Sequence, residues 1–258
     1  MSLIHETALV DPAAQLADNV EVGAFSIIGP QVAIGAGSRI GPHVVVTGRT
    51  TIGKNTRIFQ FASIGEEPQD KKYDGEDTEL IIGDNNTIRE LCTFSRGTIQ
   101  GGGKTIIGNN NWIMACVHIA HDCILGDNII MANNASLAGH VNVGDWAILS
   151  GYSLIHQFCD VGEHSFTSFA SHVNQSIPPY VTVSGEKARA KGVNTEGLKR
   201  RGYTPEQVQQ VRRAYKVLYR SGLRLEEARE KLEEMAEGHE EIQPWIEFLE
   251  KTQKSFIR

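Results

Sequence analysis

The sequence predicts a mainly β protein, a parallel β-helix over residues 1–183 joined to a small α-helical domain over residues 184–258. Three observations predict it. Apolar residues recur six apart at Ile4, Val10, Leu16, Val22, Ile28, Ile34, Ile40, Val46, Ile52, Ile58 and Ile64. They do so again at Ile107, Ile113, Ile119, Leu125, Met131, Leu137, Val143, Leu149, Ile155 and Val161. A period of six matches neither a helix at 3.6 nor a flat strand at 2. It fits a coil in which each hexad is one short strand plus a turn and three hexads complete a circuit. Second, glycine follows the apolar position at Gly23, Gly29, Gly35, Gly41, Gly53 and Gly65, where a tight turn calls for a residue without Cβ. Third, the period changes to a helical one after Ser184.

Taken in order, the first interruption is the polar stretch Glu66–Glu79, read as a projecting loop that carries Gln69, Asp70, Lys72 and Tyr73. Ile64 and Ile82 flank it eighteen residues apart, the length of one coil. Stacking does not require such a loop, which points to function. Ile82, Ile88 and Phe94 resume the repeat. A second interruption at Gln100–Lys104, containing Gly101-Gly102-Gly103, moves the register by one residue. The repeat is expected to fade through Ser165–Gln175 and to exit at Pro178-Pro179, because proline cannot donate to a ladder. Thr204-Pro205-Glu206 then reads as an N-cap with proline at the first helical position. Val208, Val211, Tyr215 and Leu218 form one apolar stripe. Leu225, Leu232 and Met235 form a second, and Ile242, Trp245, Ile246 and Leu249 a third.

Composition bounds the function. A net charge of −6 argues against a general nucleic-acid binder. No apolar run has the length of a membrane span, and the N-terminus lacks the basic and apolar regions of a signal peptide. Cys92, Cys116, Cys123 and Cys159 show no disulfide-like spacing, so a reduced, cytoplasmic protein is expected.

An eighteen-residue coil says what stacks on what. Asp122 falls beneath His140. His121 falls beneath Gly139 and then Gln157, and Ala120 beneath Ala138 and then His156. These residues converge on one edge within three coils, at steps of about 4.8 Å. Trp112, Ile130 and Ile148 form an outward column, read as a contact between subunits or a seat for the chain's own C-terminal segment.

The repeat, H-I-A-H-D at His118–Asp122, N-N-A-S-L-A-G-H at Asn133–His140 and H-Q-F at His156–Phe158 resemble the UDP-N-acetylglucosamine O-acyltransferase (LpxA) family. So do I-P-P-Y at Ile177–Tyr180, G-V-N-T-E-G-L-K-R-R-G at Gly192–Gly202 and the Q-D-x-K-Y loop at Gln69–Tyr73. The resemblance covers essentially the whole chain. It implies a left-handed β-helix, a homotrimer with active sites between rods, and no cofactor. The implied reaction moves an acyl group from acyl carrier protein to the 3-hydroxyl of UDP-N-acetylglucosamine, opening lipid A synthesis. By the same resemblance His121 is the general base, Asp122 orients it, and the Gly139 N–H stabilises the oxyanion. His118, His140, His156, Gln157, Asn194, Glu196, Arg200 and Arg201 are implied to line the substrate site, with Gln69, Asp70 and Lys72 on a closing loop. Eleven Lys/Arg between Lys187 and Arg224 face only Glu196 and Glu206, a basic surface suited to an acidic carrier protein.

The chain departs from the family pattern at three positions. Ser95 stands where a histidine is usual, Phe169 where the acyl pocket has a small residue, and Glu186 where an amide is usual. A paralogue using another acyl chain or nucleotide sugar is therefore an alternative, as is Phe169 packing inside the rod with acyl selection made elsewhere. A different class is a metal-dependent hydratase like the γ-type carbonic anhydrases, with His118, His121 and His140 as ligands.

Overall fold

The structure is a computed structural model describing residues 3–252 and 255–258. Short strands wind into a three-faced prism. The first face has eleven strands, from Leu3–Ile4 to Arg189–Val193. The second has nine, from Leu9–Val10 to His172–Val173, and the third eight, from Gln15–Leu16 to Asp160–Val161. Among the described strands every pairing is parallel except that of Val181–Ser184 with Arg189–Val193. The hexad residues point inward in register, as in Ile113↔Met131↔Leu149, Ile119↔Leu137↔Ile155 and Leu125↔Val143↔Val161. All are buried, so the core is a column of aliphatic layers running up the prism.

The corners explain why this sequence coils as it does. Nineteen described non-glycine residues have left-handed φ, most of them spaced by multiples of six, among them Asn110, Cys116, Asp122, Asn128, Asn134, His140, Trp146, Tyr152, Phe158 and His164. None is β-branched, the side-chain type most strained there. Each costs about 1–2 kcal/mol, offset by the strand stacking it permits. Gly65 is itself left-handed (φ 80°), as a turn glycine would be, but Gly23, Gly35 and Gly53 have another cause. The left-handed residue comes two positions later, and a Cβ on Gly23 or Gly35 would lie 2.6 Å from backbone of the next coil. Close stacking of coils excludes the side chain there.

The two interruptions lie on the same edge. The first follows Ser63–Glu66 on the second face and precedes Glu79–Ile82 on the third; the second lies between Thr93–Ser95 and Lys104–Ile107 on those same faces. Ile82 pairs with Ile52 and Ile64 with Phe94, so Ile64 and Ile82 are not one coil apart as the spacing suggested. The loop is an insertion into a single side of the coil. The second interruption separates Ile82 from its partner Ile107 by 25 residues in place of 18. Asp122, His140 and Phe158 occupy this edge in the coils that follow.

The repeat does not fade at Ser165. Phe166–Thr167 and His172–Val173 continue it, with Thr167 buried at an inward position and bonded to Ser153 at 2.6 Å. A hydrogen-bonded hydroxyl replaces an aliphatic group, which hides the period from a hydropathy pattern. Nor does Pro178-Pro179 end the prism, since Val181–Ser184 still pairs with Phe166–Thr167. The antiparallel strand Arg189–Val193 precedes the helices α1 (Thr195–Arg200), α2 (Pro205–Arg220), α3 (Leu225–Ala236) and α4 (Gln243–Lys251). Thr204 and Gln207 form a capping box on α2, whose stripe Val208, Val211, Tyr215 and Leu218 is buried. Phe256 closes the top by pairing with Ser176.

Candidate active site

The inserted edge assembles a buried carboxylate and an imidazole. Asp122 sits at a left-handed corner (φ 61°) between the strands His118–Ile119 and Ile124–Leu125. Its side chain is fully shielded, and four bonds hold the residue. Oδ1 accepts from Thr98 N at 2.7 Å, while Oδ2 accepts from Thr98 Oγ1 at 2.6 Å and lies 2.7 Å from His121 Nδ1. Its backbone N–H donates to Thr105 Oγ1 at 2.8 Å. A buried carboxylate is tolerable only when so satisfied. Acceptance by Asp122 places the His121 proton on Nδ1 and leaves Nε2 as a free lone pair.

One coil further on, Gly139 lies against the His121 ring. A Cβ there would be 2.6 Å from Cε1 and 2.9 Å from Nε2, so the position admits no side chain. Among the described residues the Gly139 N–H donates to no protein acceptor. A lone pair and an unused N–H thus stand side by side, the pair of groups needed to take a proton and to stabilise an oxyanion.

The other predicted residues divide into those the edge gathers and those it does not. His140 Nε2 is 3.7 Å from Asp122 Oδ2, and its ring meets His121 edge-on at 5.2 Å. Burial lowers its pKa, opposed by the charge of Asp122 and, more weakly, of Asp70 on the loop. His118 lies at 2.8 Å from Thr93 Oγ1, and burial lowers its pKa too. His156 and Gln157 are exposed on the next coil, with His156 Nδ1 3.2 Å from the Gln157 carbonyl. In the loop, Asp70 Oδ1 accepts from Lys72 N, Gln69 and Lys72 are exposed, and Arg96 reaches both Gly65 O and Tyr73 Oη. Ser95 is buried opposite Glu66.

Asn194, Glu196, Arg200 and Arg201 are elsewhere. With Trp146, Ile130 and Ile148 they line a groove of about 700 Å³ along the first face. Asn194 caps α1 through Gly197 N and donates to His164 O. Arg201 bonds the Trp146 carbonyl at 2.7 Å, approaches His164 Nδ1 at 3.0 Å and lies over the Trp146 ring. Glu196 is paired with Lys199 in solvent. The outward column is therefore left half-buried at Ile130 and Ile148, as one wall of the groove whose other wall is α1, while Trp112 stays exposed. Phe169 is not inside the rod: it is 70 % exposed, edge-on to Tyr152 and above Gly151.

Among the described residues the set of metal-ligating groups that converges is His121, Asp122 and His140, within 4.8 Å of one another, and not the three histidines of the hydratase reading. Both Asp122 oxygens already accept hydrogen bonds, and His118 is turned to Thr93. Sequence reading missed Thr98, Thr105 and Phe158 as neighbours of the site. The Gly101-Gly102-Gly103 interruption was the signal for Thr98 and Thr105, and the count of eighteen from His140 was the signal for Phe158.

Comparisons with known proteins accord with this arrangement. A family model described as UDP N-acetylglucosamine O-acyltransferase, domain 2, matches residues 177–257, and a bacterial transferase hexapeptide model matches 13–48 and 104–139. The acyl-[acyl-carrier-protein]–UDP-N-acetylglucosamine O-acyltransferase of Herminiimonas arsenicoxydans is 58% identical over 262 residues, spanning all of both chains. That of Thiobacillus denitrificans is 59% identical over 258 residues, again over all of both. The structure of LpxA from Acinetobacter baumannii superposes with a TM-score of 0.97 at 47% identity over both whole chains. The Francisella novicida UDP-N-acetylglucosamine acyltransferase does so at 0.97 and 44%, covering 99% of this chain and 94% of its own. These neighbours make the prism a left-handed β-helix. With the His121–Asp122 edge embedded in a likeness that runs from end to end, the chain belongs to the UDP-N-acetylglucosamine O-acyltransferase family.

Proposed function

We propose that the protein transfers an acyl group, of the 3-hydroxyacyl type, from acyl carrier protein to the 3-hydroxyl of UDP-N-acetylglucosamine, the first step of lipid A assembly. The observation that carries this is His121 Nδ1 at 2.7 Å from the buried Asp122 carboxylate, with Gly139 against the ring. The His121 Nε2 lone pair takes the proton from the sugar hydroxyl as its oxygen attacks the thioester carbonyl. The Gly139 N–H meets the oxyanion. The carbon–sulfur bond then breaks, the carrier thiolate takes the proton back from His121, and the ester leaves. His118 and His140, whose pKa values burial lowers, are suited to contact substrate as neutral donors and acceptors.

The protein works as a homotrimer in the cytoplasm. Within one chain the His121 edge and the Asn194–Arg201 groove lie on different sides of the prism, and a threefold assembly lets one rod's groove serve its neighbour's edge. No described helix is long and apolar enough to cross a membrane.

The test is transfer from a panel of acyl carrier protein thioesters to a panel of UDP-sugars. Transfer to UDP-N-acetylglucosamine is expected, and His121→Ala should lower kcat at least about a hundredfold with the fold intact. Transfer to another sugar alone, or near-normal turnover in His121→Ala, would sink the reading.

A further inference from the structure

The insertion at residues 98–103 does more than decorate the rod. In the prism a coil needs only a six-residue side to pass from the second face to the third, and Asp122 would then rest on an ordinary corner. The chain instead supplies a 3₁₀ turn, Ile99–Gly101, capped by Thr98. Thr98 is 1% exposed, and it presents two donors to one carboxylate, its N–H to Oδ1 and its hydroxyl to Oδ2. The hydroxyl reaches the same oxygen that holds His121 Nδ1. Gly101 comes so close that a Cβ would lie 2.0 Å from Asp122 Cγ, and its own φ is not in the left-handed region, so packing alone requires glycine there.

We propose that this turn is part of the catalytic apparatus. Thr98 is a positioning residue acting through Asp122, and Gly101 is the gap that lets the carboxylate sit in the plane His121 needs. The inference rests on the acyl-transfer reading above. A carboxylate with one donor has a free rotation about its Cβ–Cγ bond. The Thr98 N–H on Oδ1, with the Thr98 hydroxyl and the imidazole sharing Oδ2, removes it, so Nδ1 keeps its proton and Nε2 stays aimed beside Gly139. Thr105, which holds the Asp122 backbone from the following strand, completes the clamp.

The experiment uses the full chain with acyl carrier protein thioester and UDP-N-acetylglucosamine. Thr98→Val keeps the size and the backbone donor but removes the hydroxyl, and with it both the bond to Asp122 Oδ2 and the cap on Gly101 N. It should lower kcat about tenfold to a hundredfold, the size of one charge-assisted hydrogen bond, at an unchanged KM for the sugar nucleotide. Thr98→Ser should return kcat to within about threefold of the original, because it restores that same donor. In an Asp122→Asn background Thr98→Val should add no further loss, since both act on one group. Gly101→Ala should lower both kcat and the melting temperature, because its Cβ would overlap the buried Asp122 carboxylate. Full turnover in Thr98→Val, or a loss that adds in full to that of Asp122→Asn, would overturn the role. A readout without substrate separates this from the functional reading: ¹⁵N shifts of the His121 ring should report Nδ1–H alone in the original protein and a tautomer mixture in Thr98→Val. An unchanged tautomer defeats the positioning role whatever the activity, and absent transfer by the original protein defeats only the acyl-transfer reading.

Discussion

The His140 imidazole lies flat on the Phe158 ring, centroids 4.4 Å apart and planes 9° from parallel. The two are corner residues of successive coils, both with left-handed φ, so the stack is dictated by the eighteen-residue circuit. It fixes which edge of His140 faces His121 and Asp122. An aromatic pair contributes about 0.5–1.5 kcal/mol beyond its area. Phe158→Ala is therefore expected to reduce kcat/KM by about twofold to tenfold while leaving the core untouched. Steady-state kinetics and a melting curve measure both; a large loss of melting temperature would show Phe158 to be a structural residue first.

Acid should weaken the junction between prism and helices. Burial, and then the Arg201 charge, push His164 down to about 4 from an ordinary 6.5. The unfolded chain then binds a proton that the folded chain refuses, so this contribution to stability is complete above about 6.5 and declines as pH falls toward 4. Glu163 beside it opposes the trend, because burial raises its carboxyl and protonation relieves it. Tyr180 and Tyr203, the other titratable neighbours, stay neutral throughout, their pKa values raised by burial. Melting temperature measured from pH 7 to 4 should fall less steeply in His164→Gln than in the original protein. Identical slopes would remove His164 from the account.

Salt should act on the donor and spare the sugar. Lys187, Arg189, Lys191, Arg212, Arg213, Lys216 and Arg220 are all exposed, and Arg212, Arg213, Lys216 and Arg220 line one groove beside Gly192. Raising salt from about 50 mM to about 300 mM shortens the screening length roughly twofold. KM for acyl carrier protein should rise severalfold across that range. A flat KM would leave the patch without a steering role.

Phe169 should set chain length. It projects from the edge between the first and second faces, resting on Tyr152. Each methylene it excludes forfeits about 0.8 kcal/mol, so two or three would shift preference by about one to two orders of magnitude. Phe169→Gly is expected to move the preferred thioester toward longer chains without abolishing turnover. An unmoved profile would assign acyl selection to other residues.

The prism could be read from the sequence because its period is written in residues that face inward. Ile113, Ile119 and Leu125 each have one environment, and hydropathy reports it. The reading failed where something other than hydropathy chose the residue. Thr167 is inward but hydroxylic, satisfied by Ser153, so a hydropathy pattern ends the repeat too early. Gly23 and Gly35 looked like turn glycines, yet contact between stacked coils excludes their Cβ. Within the site, the columns His121–Gly139 and Asp122–His140 followed from counting by eighteen. Thr98 did not, since it belongs to an insertion with no period to count. Asn194 and Arg201 share motifs with the family but lie off the His121 edge in a single chain, and no spacing announces that.

The distance between base and oxyanion donor has a mechanical origin. His121 and Gly139 are one step apart along the rod, and that step is bridged on three faces by hydrogen bonds such as His118 N to Ala135 O, Ile124 N to Val141 O and Ile130 N to Ala147 O. The bonds run along the axis and share any load in parallel, like three springs under one plate. To lengthen the step at one corner the plate must tilt, which compresses or stretches the aliphatic layers packed beneath it. The separation of this pair is thus set by the stiffness of the whole prism and not by the two residues alone.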